Sequence, residues 1–79
     1  MPRFYLDVVS DGVLARDEEG QELADHKAAR EEAAAALIEL ARCWPSLDMD
    51  RHKLVVSVQD ASGKAIFTTT LSLDVEWNG

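Results

Sequence analysis

One stretch of this 79-residue chain carries a long helical pattern, Asp25 to Trp44, and the rest must fold against it. Asp25 is suited to cap it, because its carboxylate can accept from the unpaired amides of the first turn. Ala28, Ala29 and Ala33 to Ala36 are the strongest helix formers available. At about 100° per residue, Ala29, Ala33, Leu37, Leu40, Ala41 and Trp44 share one side. Lys27, Glu31, Ala35, Glu39 and Arg42 share the other. Alanine in the first half of the apolar side predicts close approach to the layer beneath, and leucine and tryptophan fill a wider gap later. Pro45 disfavours helical geometry at Trp44, so the helix is predicted to end there or one residue earlier. Ile38 lies at the edge of the polar side, a mild hint of a partner surface.

The flanking segments alternate with a period of two, the mark of strands. In Arg3 to Val9, Phe4, Leu6 and Val8 point one way and Tyr5, Asp7 and Val9 the other. Ser10-Asp11-Gly12 is a turn signal, after which Val13 to Ala15 form a short returning strand. Arg16 to Gly20 is a charged loop, and Leu23 is predicted to fold under the first helical turn. Ser46 to Arg51 reads as a polar connector. Lys53 to Gln59 is the next strand, with Leu54, Val56 and Val58 inside. Asp60-Ala-Ser-Gly63 turns the chain, and Lys64 to Leu73 returns with Phe67 and Leu71 inside and Ile66, Thr68, Thr70 and Ser72 outside. The chain therefore reads as a single α+β domain, residues 1–79. It is an antiparallel sheet of three to four strands with one amphipathic helix on one face, in the order β-(β)-α-β-β.

Charge narrows the functional classes. Fifteen acidic and eight basic residues give a net charge of −7. A general nucleic-acid binder needs a basic footprint to displace counterions from phosphate, so no nucleic acid is expected as partner. Adsorption to an anionic membrane is disfavoured for the same reason, and no apolar run approaches the roughly 20 residues that span a bilayer. The start lacks the pattern of a signal peptide, so a cytoplasmic location is expected. Cys43 is the single cysteine, which rules out an internal disulfide and a multi-cysteine zinc site. A small domain buries a modest core, which favours self-association.

Few residues invite chemistry. Asp48, Asp50 and His52 supply oxygen and nitrogen ligands within five residues, yet the spacing completes no metal motif, and a solvated connector is the plainer reading. His26 falls on the buried side and reads as a packing or capping residue. Asp17-Glu18-Glu19 reads as a solvated loop able to attract a basic partner. Asp7 sits among polar residues within reach of Lys53 or Arg3. No serine–histidine–acid pattern and no phosphate-binding glycine loop is present. The expectation is no catalytic residue, no cofactor and no metal. The candidate interface is the outer sheet face or the last strand's edge, through Tyr5, Val55, Ile66, Thr68 and Thr70.

Met1-Pro-Arg-Phe-Tyr-Leu-Asp7, Asp11-Gly12, Asp17-Glu-Glu-Gly20, Glu22-Leu23, Asp25 and the alanine-rich helix together resemble a family of short proteins of rhizobia and related alphaproteobacteria. That family is classed as a domain of unknown function. The likeness extends to the Val58-Gln-Asp-Ala-Ser-Gly-Lys64 hairpin and implies no activity. Two positions depart from it: Asp7 stands where relatives carry histidine, and Ala24 where they carry proline. The ββα opening also loosely resembles, in topology alone, antitoxin domains of HicB type, without their glycine- and proline-containing motifs.

Three hypotheses follow, in order. The first is a non-enzymatic interaction module, homodimeric, with a regulatory or stress-related role. The second is an antitoxin-like protein that holds a basic partner through its acidic surface. The third is a metal-dependent enzyme using Asp48, Asp50 and His52.

Overall fold

The computed structural model describes residues 1–79. Strand β1 (Arg3–Ser10) turns into β2 (Val13–Ala15), and β3 (Gln21–Glu22) follows the charged loop. Helix α1 (His26–Leu40) continues as a 3-10 helix (Ala41–Ser46), and β4 (Arg51–Asp60) and β5 (Ala65–Asp74) close the fold as a hairpin. The sheet is antiparallel throughout, in the order β2-β1-β4-β5, and β3 pairs with the other end of β1 on the β2 side. The α+β class and the single helix agree with the sequence pattern. The strand count is five, against three to four expected, because Gln21–Glu22 pairs with Arg3 and Phe4.

The turns follow their residues. Asp11 and Gly12 both take positive φ, 48° and 88°, as a two-residue hairpin turn requires. At the β4–β5 turn the Asp60 carboxylate accepts from the amides of Ser62 and Lys64 and from the Ser62 hydroxyl. That hydroxyl bond is the main reason the Asp60 carboxyl sits below its ordinary value; desolvation opposes it, and the Lys64 and Ser62 amides and the Lys64 charge add to the lowering.

Asp25 caps α1 as expected, accepting from the Ala28 amide at 2.8 Å. The helix ends earlier than predicted. Its α geometry stops at Leu40, and the next six residues tighten into a 3-10 turn that accommodates Pro45. Ala29 and Ala33 have no exposed surface, so the helix approaches the sheet closely along its first half. Phe4, Leu6, Leu37, Trp44, Leu54, Val56 and Val58 complete the buried core, with Leu23 against its margin.

Register places the inner residues in rungs: Leu6, Val58 and Phe67; Val8, Val56 and Thr69; Ser10, Leu54 and Leu71. The β4 members are buried, whereas Phe67, Thr69, Leu71 and Leu73 on β5 are only half-buried. A bulge between Val58 and Gln59 leaves Ile66 unpaired between Ala65 and Phe67. Ile66 is thereby drawn onto the core, which corrects its assignment to the outer face.

Candidate interaction surface

The outer sheet face is best followed rung by rung. Leu14, Val9, Val55 and Thr70 lie directly opposite one another across β2, β1, β4 and β5, forming one continuous row. Polar rungs flank it: Asp7, Ser57 and Thr68 on one side, Lys53 and Ser72 on the other. Of the expected interface residues, Val55 and Thr70 share the apolar row, and Thr68 is exposed in the next rung. Tyr5 stands two rungs from Val55, beside Gln59. Ile66 belongs to the core margin. The five residues therefore do not make one patch, and Val9 and Leu14 are the members of the row that alternation alone did not connect.

The Tyr5 end of this face is occupied by the charged loop. Gly20 lies against Tyr5 so tightly that an added Cβ would stand 2.9 Å from the ring and 3.0 Å from the Phe4 carbonyl oxygen. Asp17 is the clasp of the loop. Its carboxylate accepts from the Leu6 amide at 3.1 Å and from the Gly20 amide at 2.9 Å. The Asp17 amide in turn donates to Asp7 at 2.9 Å, and Gln59 donates to the other Asp7 oxygen at 3.1 Å. The expected partners of Asp7, Lys53 and Arg3, are thus replaced by Asp17 and Gln59. Arg3 instead reaches the Glu19 carbonyl and the Glu22 carboxylate. Partial desolvation pushes the Asp17 carboxyl up, but the amides of Gly20, Leu6 and Glu19 and the Arg3 charge outweigh it and hold it below its ordinary value. A shallow polar cavity of about 310 Å³ separates this loop from the β4–β5 turn, with Asp7, Asp17 and Asp60 among its walls. All three carboxylates are engaged in bonds within the chain.

The proposed metal ligands are not brought together. His52 is 3% exposed, stacks on Trp44 with ring centroids 5.1 Å apart, and faces Asp11 at 3.4 Å through Nδ1. Asp50 instead accepts from the Trp77 indole at 2.7 Å, which places that tail residue. No group of three or more His, Cys, Asp or Glu side chains is arranged so that it could hold a metal ion. His52 is inward-facing because β4 begins at Arg51, two residues before the strand predicted from Lys53. His26 is exposed, not on the buried side as expected, although its ring meets the Phe4 ring edge-on at 5.8 Å. Cys43 is exposed, beside an apolar cavity of about 360 Å³ between Val8, Ala15, Leu40, Trp44, Leu47 and Leu54.

The longest open edge of the sheet is that of β5. This strand pairs with β4 on one side and with nothing on the other, so ten residues of backbone face away from the sheet. The opposite margin of the sheet is broken into short pieces: β2 covers Val8 to Ser10, β3 covers Arg3 and Phe4, each with only its own two or three residues left at the edge, and Asp17 takes the Leu6 amide between them.

The family described as Domain of unknown function (DUF6894) matches residues 3–72. The chain belongs to this family. The DUF6894 match runs from the start of β1 almost to the end of β5, and so includes the clasped loop, the helix and most of the open edge. No curated protein and no solved structure matches the chain. No helix is long and apolar enough to cross a membrane.

Proposed function

We propose that this chain is a non-enzymatic interaction module that works as a homodimer, joined through the free edge of β5. The observation that carries the reading is the charge of that edge. Ala65 to Leu73 contains no ionisable side chain, in a chain of net charge −7. Two such acidic molecules repel except where their surfaces are neutral, and an open strand offers unpaired backbone donors and acceptors there.

Size supports the same reading. The accessible surface is 5800 Å², whereas a globular monomer of this mass exposes about 4,700 Å². The radius of gyration is 14.2 Å, against about 11.6 Å for a compact chain of this length. The exposed tail after Asp74 and the half-buried inner row of β5 both contribute. A surplus of this order is comparable to the roughly 800 Å² each partner contributes to a standard interface. A basic partner on the acidic loop is less well supported, because Asp7 and Asp17 are engaged with the loop itself.

Light scattering on the untagged protein over a concentration series tests the proposal. The expected mass is twice the 8.7 kDa of one chain. A single-chain mass at every concentration would overturn it.

A further inference from the structure

We infer that the second copy adds to β5 antiparallel, about a two-fold axis at Thr70, which extends the sheet across both molecules. The inference rests on the self-association proposed above and names its geometry.

Three features select this register. The first is the bulge at Ile66, which interrupts regular pairing on the N-terminal side. Asp74 brings charge on the other side. The regular, neutral segment is therefore Phe67 to Leu73, and its middle residue is Thr70.

The second is the pleat. Pairing symmetrical about a residue keeps inner side chains on one face in both copies. Both helices then lie on the same side. Phe67 stands opposite the partner's Leu73, and Thr69 opposite the partner's Leu71, so half-buried residues cover each other. On the outer face Thr70 meets the partner's Thr70, a favourable cross-strand pair. The row Leu14, Val9, Val55, Thr70 runs on without a break into the same row of the second molecule.

The third is charge. The N-terminal end of β5 carries Lys64, and its C-terminal end carries Asp74 and Glu76. Antiparallel addition brings these unlike ends together, whereas parallel addition would bring like ends together.

Disulfide trapping tests the register. In a Cys43→Ser background, Thr70→Cys is expected to form a covalent dimer under mild oxidation. Thr68→Cys is not, because its two copies would lie four residues apart along the strands, about 13 Å. Both positions are exposed, so the substitutions leave the core untouched. Charge reversal gives a second readout. Lys64→Glu is expected to raise the dimer dissociation constant about two- to fivefold, and the double variant K64E/D74K to restore it. The ends of one β5 are about 30 Å apart, so restoration can only act between molecules, even though Asp74 also faces Arg51 at 3.6 Å within the chain. A light-scattering dimer in which Thr68→Cys links as readily as Thr70→Cys, or in which the double variant stays weak, would overturn this geometry and leave self-association standing. A monomer throughout would overturn both.

Discussion

At the scale of single residues, the loop from Arg16 to Gly20 is the most tightly specified part of the molecule. Gly20 has φ of 73° and no room for a Cβ. Gly20→Ala is expected to cost about 1–3 kcal/mol in urea unfolding; an unchanged midpoint would mean that the loop shifts freely. Asp17→Asn removes a charged acceptor from two amides and is expected to cost about 1.5–3 kcal/mol at neutral pH. The pH dependence follows from the direction of the shift. A carboxyl held lower in the folded chain than its ordinary 3.8 adds stability that is complete above that value and lost as pH falls through the folded one. The wild-type urea midpoint should therefore fall below about pH 4, and Asp17→Asn should flatten that fall. The clasp was hard to see from sequence because an aspartate beside two glutamates reads as a solvated run. The signal present was its spacing: a side chain three residues before a glycine can accept from that glycine's amide, as Asp17 does from Gly20.

At the scale of elements, the helix was the most legible part, since its cap, its alanine face and its seat on the sheet follow from periodicity. Its close approach predicts its tolerance. Ala33→Leu has no space to occupy and is expected to destabilise by about 1–3 kcal/mol in thermal or urea melts. An equally stable variant would show that the helix can lift off the sheet. What alternation missed were a strand boundary and an interruption of register. Moving the start of β4 from Lys53 to Arg51 turns His52 from a loop ligand into a buried partner of Trp44. One unpaired residue in β5 moves Ile66 from the outer face to the core margin. His52 shares the alternation of Leu54, Val56 and Val58 and is missed only because the predicted strand starts too late; the position of Ile66 depends on how strands align with one another, which a linear pattern does not encode. The rungs that link Leu14, Val9, Val55 and Thr70 come from distant parts of the chain and needed the same information.

At the scale of the whole molecule, the balance lies between a neutral edge and an acidic body. Two chains of −7 repel over distances that salt shortens to about 10 Å at 0.1 M. The dimer is therefore expected to tighten as salt rises from about 0.02 to 0.3 M, measured by sedimentation equilibrium. Weakening over that range would mean that ion pairs, not the neutral strand, hold the copies together. The clasped loop has a consequence at this scale. A sheet with one long open margin is expected to have a valence of one, so the proposed assembly stops at two. With Asp17 protonated or replaced, the margin along β1 is expected to loosen and the valence to rise to two, which would permit open-ended chains in place of a closed pair. On the proposed geometry, the carboxylate that pins a surface loop would then also guard the protein against polymerising.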